Sequence, residues 1–344
     1  MPYNLGWLIA RRLRREHLCV LHIEDLFDWY LFQSIGQLLP NLDIVVGKPG
    51  LKEQLIPLLP EKTRIYVYPL CFPDAVIMFR NAAWKYPVPR VVKIGLEHGA
   101  YNFKKFPKAY YYNMFDLYLM TSFADERRLR AKGAASVKAI GYPKSDPLIN
   151  GYYTAEKLAA FRAELGLDPD KTTLLFSSTW DGSGMSAIHK WFDKLPQLAA
   201  DYNILVTLHP RMSSFYREHL GNVPQVHYVD ALDIYPHLLL ADVCIGDTNS
   251  LIAEFCIVDK PIITFSIEPT ERTMDDVIRL IRSVSLQIDS FEQLPDAIAE
   301  ALRTGKETSR ARKEAIKTLI DPLDGKAGLR AAQEILRLIP ELQP

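Results

Sequence analysis

The stretch IGDTNSLIAEFCIVDKPIITF, residues 245–265, places a short polar segment between two apolar runs that have the composition of buried strands. The segment stands where the first strand would pass into a helix, and its residues are Gly246, Asp247, Thr248 and Asn249. Ligands of α/β proteins bind at the carboxyl ends of parallel strands. The stretch therefore predicts an α/β fold with a binding site at this turn.

Apolar, strand-like runs alternate with helical patterns along the chain. In the first half they lie near residues 17–23, 42–47, 64–70, 75–79, 91–97, 115–122 and 136–141. In the second half they lie near residues 172–179, 197–210, 226–230, 231–246 and 261–265. Strands separated by helices imply parallel sheets. We therefore expect two Rossmann-like domains that face each other, with the ligand site in the cleft between them.

The length of 344 residues suits two domains. We predict an N-terminal Rossmann-like domain over residues 1–150 and a C-terminal one over residues 151–325. Residues 326–344 are expected to form a helix that can pack back on the first domain.

Composition excludes several classes of protein. The 41 Lys and Arg residues balance the 41 Asp and Glu residues, whereas a dedicated nucleic-acid binder carries a basic excess. The cysteines show no CxxC spacing, so buried reduced thiols are expected rather than disulfides or a zinc site. They are Cys19, Cys71, Cys244 and Cys256.

No signal peptide and no apolar run long enough to span a membrane are apparent, which predicts a cytoplasmic protein. The basic segment WLIARRLRR near the N-terminus has two interpretations. It is either a solvated first helix or a contact with the anionic inner face of the membrane.

Common catalytic motifs are missing from the sequence. There is no GxxxxGK[ST], no strand-bound GxGxxG and no GxSxG elbow, which disfavours P-loop enzymes, ordinary dinucleotide folds and serine hydrolases. HExxH and ligand-type Cys/His spacings are also missing, so neither a metal site nor a cofactor is expected.

Two of the eight histidines follow predicted strands in settings that suit chemistry. His98 precedes Gly99, which permits a tight turn and close approach of a ligand, and a neutral imidazole is a suitable general base. His209 precedes Pro210, and its imidazole and the Arg211 guanidinium could both face an anion. The other six histidines are interpreted as structural: His17, His22, His189, His219, His227 and His237.

The start of the helix in the opening stretch predicts an anion site. Thr248, Asn249 and Ser250 are expected to cap the helix, whose free N–H groups and dipole attract a phosphate. Glu254 lies one turn beyond Ser250 and could accept hydrogen bonds from ribose hydroxyls. An ordinary capped helix with a solvated Glu254 is the alternative.

Five segments in this order resemble the CDP-glycerol glycerophosphotransferase family, the teichoic-acid primases and polymerases of GT-B fold. The family's WHG with a following Lys corresponds here to EHG with Lys104 or Lys105, and its GxPRxD corresponds to GYPKSD. Its TWR-type loop corresponds to STWDGSG, its HP to LHP, and its DYSSxxFD…KP to DTNSLIAEF…DKP. The resemblance covers roughly residues 91–265. It implies two Rossmann-like domains, the first for the acceptor and the second for the nucleotide donor.

The sequence departs from the family pattern at several positions. Glu97 replaces Trp, Lys144 replaces Arg, Asp181 replaces a basic residue, and Thr248-Asn249-Ser250 replaces Tyr-Ser-Ser. Glu254 replaces Asp, which is similar to nucleotide-sugar enzymes of the same fold, including UDP-GlcNAc 2-epimerases. The nucleotide pocket is therefore better supported than the identity of the transferred group.

The resemblance implies a transferase that moves a polyol-phosphate group from a CDP-linked donor to an acceptor hydroxyl during cell-surface polymer synthesis. The expected catalytic residues are His98, the base, and His209. The expected nucleotide- and phosphate-binding residues are Gly99, Lys144, Ser178, Thr179, Arg211, Asp247, Thr248, Asn249, Ser250 and Glu254. Two alternatives stay open, a nucleotide-sugar glycosyltransferase for capsule or surface polysaccharide and a non-catalytic nucleotide- or glycan-binding protein.

Overall fold

The computed structural model describes residues 2–79, 82–100, 107–271 and 273–343. These residues form two compact units. The first draws on Met1–Gly99, Phe106–Asn150 and Ile320–Pro344, and the second on Ala100–Lys105 and Gly151–Leu319.

The first unit is built on a seven-stranded parallel sheet with the order β3-β2-β1-β4-β5-β6-β7. Its strands are β1 (Cys19–Ile23), β2 (Asp43–Val46), β3 (Ile65–Val67), β4 (Ala75–Phe79), β5 (Val92–Leu96), β6 (Leu117–Met120) and β7 (Val137–Ala139). Its helices are α1 (Pro2–Leu13), α2 (Leu26–Gly36), α3 (Gly50–Leu55), α4 (Ala109–Tyr112), α5 (Phe123–Ala131), α6 (Asp146–Ile149) and α13 (Ala327–Leu338).

The second unit has a six-stranded parallel sheet with the order β10-β9-β8-β11-β12-β13. Its strands are β8 (Thr172–Ser178), β9 (Tyr202–Leu208), β10 (Val226–Tyr228), β11 (Val243–Gly246), β12 (Ile262–Phe265) and β13 (Leu286–Ile288). Its helices are α7 (Ala155–Glu164), α8 (Ser214–Gly221), α9 (Tyr235–Leu240), α10 (Leu251–Ile257), α11 (Asp275–Val284) and α12 (Leu294–Leu319).

Strands in the middle of both sheets are buried along most or all of their length, which explains their apolar composition. Every residue of β1, β4 and β11 is buried, as is typical of parallel sheets covered on both faces. The predicted α/β architecture with two parallel sheets is therefore confirmed. The four cysteines are buried and unpaired, also as predicted.

The turn after β7 joins the C-terminal helix to the first unit. Gly141 has a φ of +88°, which a side chain would strain, and a Cβ there would collide with the carbonyl oxygen of Pro322. Asp146 accepts hydrogen bonds from the backbone N–H groups of Ala327 (3.1 Å) and Gly328 (2.7 Å) at the start of α13. Burial raises the pKa of the Asp146 carboxyl above its usual value.

The division between the units falls after Asn150 and after Leu319, and α13 lies in the first unit. The domain limits of 1–150, 151–325 and 326–344 stay predictions. No helix in the described ranges is both long enough and apolar enough to cross a bilayer. Within the same ranges, three or more His, Cys, Asp or Glu side chains do not gather in a group suited to a metal ion.

Candidate functional site

In the first unit, candidate residues gather where β5, β6 and β7 end. These three strands are neighbours in the sheet, so their carboxyl ends lie side by side along one edge. Glu97 and His98 follow β5, Thr121 follows β6, and Lys144 lies in the turn after β7. The sheet therefore brings His98 and Lys144 to the same edge of the unit.

His98 is paired with its own neighbour in sequence. Its Nδ1 atom lies 3.3 Å from Oε1 of Glu97, and its backbone N–H donates to the same oxygen at 3.3 Å. The His98 side chain is 52% exposed, while the Glu97 side chain is only 12% exposed. A carboxylate beside Nδ1 favours the proton on that nitrogen and leaves Nε2 as the atom that can accept a proton.

Lys144 is buried rather than displayed on the surface. Its ammonium lies 5.3 Å from the centre of the Phe27 ring, a geometry in which the ring face attracts a cation. Lys144, Glu97 and Thr121 line a cavity of about 10 Å³, which is roughly the room that one water molecule needs. The buried Thr121 hydroxyl has no hydrogen-bond partner among the described residues, and it is a polar group in a cavity whose lining is mostly apolar.

Gly99 directly follows His98 and is half-buried. Lys104 and Lys105, which the resemblance matches to the Lys that follows WHG in the family, lie outside the described residues.

In the second unit, the register brings three strand ends to one level. Ser178 of β8 is paired with Leu208 of β9, and Phe176 of β8 is paired with Ile245 of β11. The residues that follow these strands therefore stand side by side: Thr179 after β8, His209 after β9 and Asp247 after β11. Adjacent strands lie about 4.8 Å apart, so Thr179, His209 and Asp247 form one cluster at this edge of the sheet.

Asp247 is the centre of this cluster and is fully buried. Its carboxylate accepts hydrogen bonds from the Ser178 hydroxyl, from the Thr179 N–H at 3.0 Å and from the Ala187 N–H at 3.0 Å. Burial raises the pKa of Asp247, although these bonds act in the opposite direction. Asp247 and Ser178 therefore hold the loop after β8 in place, a role that their sequence positions did not indicate.

The start of α10 differs from the prediction. Ser250 makes no side-chain cap, and the Thr248 hydroxyl donates to the carbonyl of Met185 instead (3.2 Å). Of the three predicted capping residues only Asn249 caps the helix, because its Oδ1 accepts from the N–H of Leu251 (3.0 Å). The capping prediction was wrong for Thr248 and Ser250, since the buried Thr248 side chain turns toward the loop after β8.

Glu254 lies in α10 and is buried, with 5% of its surface exposed. This placement differs from the solvated carboxylate of the alternative interpretation. Ser250, one turn earlier, is half-buried, so it is the more accessible of the two residues.

The geometry of His209 defines its tautomer. Its Nδ1 accepts a hydrogen bond from the backbone N–H of Arg211 (3.0 Å), so in the neutral ring the proton sits on Nε2. The Arg211 side chain is exposed. The backbone of this loop is held by Arg217, which donates to the carbonyls of Pro210 and Met212. The loop therefore presents an N–H donor and a guanidinium on a fixed backbone.

Two features of the first unit were missed by sequence reasoning. Glu97 was noted as a departure from the family pattern, and its contact with His98 was not predicted. His22, interpreted as structural, is buried, and the contacts by which its ring joins Tyr86 to Glu24 at the end of β1 were not predicted. The sequence HIE, with two polar residues at alternate positions of a buried strand end, was the available signal.

Comparison with known proteins places the chain in a family. The model of the family described as CDP-Glycerol:Poly(glycerophosphate) glycerophosphotransferase matches residues 108–339. The teichoic acid poly(ribitol-phosphate) polymerase of Bacillus spizizenii is 26% identical over 220 residues, which cover 58% of this chain and 33% of that protein. The ribitol-phosphate polymerase TarK of Staphylococcus aureus is 26% identical over 211 residues, 57% of this chain and 39% of the relative. The chain thus spans little more than a third of the length of these relatives.

Solved structures show the same fold. A variant of the wall teichoic acid polymerase TagF superposes with a TM-score of 0.74 at 14% identity, covering 99% of this chain and 92% of the other. A UDP-N-acetylglucosamine 2-epimerase homologue from Listeria monocytogenes gives a TM-score of 0.62 at 14% identity, covering 95% and 98%. The predicted GT-B fold class is confirmed. The family match extends over more than half of the residues, and the chain belongs to the CDP-Glycerol:Poly(glycerophosphate) glycerophosphotransferase family.

Proposed function

We propose that this chain transfers a polyol-phosphate group from a CDP-linked donor to an acceptor hydroxyl during synthesis of a cell-surface polymer. The observation that carries the proposal is the His98–Glu97 pair at a strand end, in a chain of a glycerophosphotransferase family. The matched relatives are named for polymerising ribitol phosphate or glycerol phosphate, and a TagF variant was solved after a soak with CDPG.

The first unit would activate the acceptor. Nε2 of His98 would take the proton from the acceptor hydroxyl while Glu97 holds the ring and stabilises the imidazolium that forms. The hydroxyl oxygen would attack the donor's distal phosphorus. A new P–O bond forms, the bond between that phosphorus and the bridging oxygen breaks, and CMP leaves with the electron pair.

The second unit would hold the nucleotide diphosphate. The Nε2–H of His209 and the guanidinium of Arg211 are suited to donate to phosphate oxygens as charge shifts to the leaving CMP. The hydroxyl groups of Ser250 and Thr179, which come after β11 and β8, would donate further hydrogen bonds to the phosphates. Fixed donors of this kind need little rearrangement when the charge develops, which is why we assign the second histidine to phosphate stabilisation.

The remaining predicted residues would act in the same two places. Gly99 and Lys144 belong to the first unit, where a buried ammonium adds positive potential near His98. Asn249 and Thr248 would shape the turn between β11 and α10, where the phosphate would bind. Asp247 and Ser178 would hold this turn in place through their hydrogen bond. Glu254 would accept hydrogen bonds from the ribose hydroxyls.

A glycosyltransferase that uses a nucleotide sugar is the second candidate. It is favoured by Glu254 in α10, the position where the sequence resembles nucleotide-sugar enzymes of this fold. The two candidates share the nucleotide site and differ in the group transferred.

A donor panel separates the candidates. CDP-glycerol, CDP-ribitol, UDP-GlcNAc, a GDP-sugar and a CMP-sugar are each added to the protein, and thermal unfolding is measured. A ligand present at 100 times its dissociation constant stabilises a protein by about 2.7 kcal/mol. Stabilisation by a CDP-polyol, with CMP released when an acceptor is added, supports the first proposal. Stabilisation by a sugar nucleotide alone supports the second, and no stabilisation by any donor supports a non-catalytic role.

We also propose a peripheral contact of α1 with the inner face of the membrane. Leu5, Leu8, Ile9 and Leu13 are exposed on this helix, and Arg12 and Arg15 are exposed beside them, a combination typical of interfacial helices. Co-sedimentation with phosphatidylglycerol vesicles tests this contact. Binding should fall when Leu8 and Ile9 are changed to Asp, and unchanged binding of that variant would contradict the contact.

A further inference from the structure

A hydrogen-bonded chain of side chains lies at the carboxyl end of β1 and is not used by the reaction described above. Tyr86 is fully buried, and its hydroxyl oxygen lies 2.6 Å from Nδ1 of His22. Nε2 of His22 lies 2.6 Å from Oε1 of Glu24. Burial raises the pKa of the Tyr86 phenol well above its usual value, so the phenol donates to Nδ1. The Nε2–H group of His22 donates a hydrogen bond to the Glu24 carboxylate.

The chain ends in a carboxylate that is held firmly but is still accessible. Oε1 of Glu24 also accepts from the Lys85 ammonium, and the backbone N–H of Glu24 donates to Asp28 at 3.0 Å. Gly47 leaves room for the second oxygen, because a Cβ at that position would overlap Oε2. Oε2 has no hydrogen-bond donor among the described residues, and the Glu24 side chain is 23% exposed. Among the described residues, one oxygen is therefore anchored and the other has no donor.

The sheet relates this carboxylate to the proposed base. His22 is paired with Met78, and Met78 is paired with Gly95. Glu24 and Glu97 each lie two residues beyond these partners, so they stand at the same level of the sheet. β1 and β5 are separated by β4 alone, which places the two strand ends about 10 Å apart, or two interstrand spacings. This separation suits one polyol-phosphate unit, with its end at His98.

Side chains near Glu24 are suited to bind the other groups of a polyol-phosphate unit. The Lys85 ammonium lies 5.2 Å from the centre of the Tyr68 ring and 5.8 Å from that of the Trp84 ring. Trp84 is 61% exposed, a large apolar surface against which the C–H groups of a polyol can pack. A carboxylate accepts hydrogen bonds from hydroxyls, and an ammonium attracts a phosphate as a point charge.

We propose that Glu24, Lys85 and Trp84 form a subsite for the acceptor, which binds the polyol-phosphate unit adjacent to the reacting hydroxyl. The subsite rests on the proposed function for its role in transfer. The carboxylate binds a hydroxyl rather than removing its proton, because the His22 hydrogen bond lowers the pKa of Glu24 to about 2, which makes it a weak base near neutral pH.

The test compares Glu24→Gln and Lys85→Met with the wild-type protein. The matched control is Glu334→Gln, which alters a carboxylate of similar exposure that also pairs with a lysine, Lys138, but lies on α13. Transfer from CDP-glycerol to a short oligo(glycerol phosphate) is measured against acceptor concentration. CDP-glycerol affinity is measured separately by calorimetry, and binding of free glycerol 3-phosphate by saturation-transfer NMR.

The acceptor KM should rise 10- to 100-fold in both variants, while kcat and donor affinity stay within about threefold of wild type and the control is unchanged. An acceptor KM within twofold of wild type, or an equal loss of donor affinity, would overturn the subsite while leaving the proposed transfer intact. If the wild type transfers nothing yet binds glycerol 3-phosphate, and Glu24→Gln abolishes that binding, the proposed function fails and the subsite stands. A wild-type protein that binds neither acceptor probe overturns the subsite.

Discussion

Nδ1 of His98 lies 3.3 Å from Oε1 of Glu97, at the point where β5 ends. The pairing of an exposed imidazole with a largely buried carboxylate gives Nδ1 a fixed neighbour, while Nε2 has no partner among the described residues. The arrangement comes from two consecutive residues, so it needs no distant part of the chain to form.

Replacing Glu97 with Gln should lower kcat more than it changes the KM for the donor. The amide cannot stabilise the imidazolium, and a positioned base usually contributes about 10²- to 10⁴-fold. We expect kcat to fall on the order of tenfold to a hundredfold. Steady-state kinetics with varied donor concentration would measure kcat and KM separately. The matched control is Glu53→Gln, an exposed carboxylate on α3, and equal effects of the two changes would contradict the assignment.

Asp247→Ala should destabilise the second unit. The change removes the acceptor of the Ser178 hydroxyl and of the Thr179 and Ala187 N–H groups, and each unsatisfied buried donor costs about 1–3 kcal/mol. We expect the free energy of unfolding to fall by about 3 kcal/mol in urea denaturation. The exposed Asp193, changed to Ala, provides the control. A decrease of less than about 0.5 kcal/mol for the Asp247 variant would show that the loop does not depend on this carboxylate.

Most of the fold could be predicted from the sequence because the central strands are buried on both faces and therefore read as apolar runs. The strand β13 was not predicted, since its three residues are too short for a pattern and two of them are not buried. The limits of individual helices also differ between the prediction and the structure. The helical pattern at residues 155–170 corresponds to α7, which ends at Glu164.

The places of the candidate residues at strand ends were predictable, but their hydrogen bonds were not. The polar residues that follow predicted strands do lie at the carboxyl edges of the two sheets, because parallel strands place their carboxyl ends together. Asp247 was expected to face the nucleotide, but its partners Ser178 and Ala187 lie 69 and 60 residues away in the chain, a proximity that no local pattern encodes. The contacts of Glu24 were hidden for the same reason, since Lys85, which bonds to it directly, and Tyr86, which bonds to its partner His22, come from the connection between β4 and β5.

Asp146→Ala should loosen the C-terminal helix. The carboxylate accepts from the first two N–H groups of α13, and loss of a helix N-cap costs about 1 kcal/mol, up to about 2 kcal/mol. Hydrogen exchange should become faster in the first turn of α13 and stay unchanged in β8. Unchanged protection at Ala327 and Gly328 would contradict this role.

Glu24 should make stability depend on pH in the acid range. The hydrogen bond from His22 and the contact with Lys85 lower the Glu24 pKa from 4.5 to about 2, so between these values the unfolded chain binds more protons than the folded one. The stability due to Glu24 is therefore present above about pH 4.5 and is lost as the pH falls toward 2. Unfolding free energies measured from pH 5.5 to 2.5 should fall more steeply for the wild type than for Glu24→Gln. Parallel curves would show that Glu24 is not held as a carboxylate.

The most direct test of the proposed reaction is His98→Ala, assayed for both transfer and nucleotide binding. Turnover of CDP-glycerol with an acceptor should drop at least a hundredfold because the base is removed. Affinity for CDP-glycerol, measured by calorimetry, should stay within about threefold of wild type because the nucleotide is assigned to the second unit. A His98→Ala protein that transfers the polyol phosphate at the wild-type rate would contradict the account.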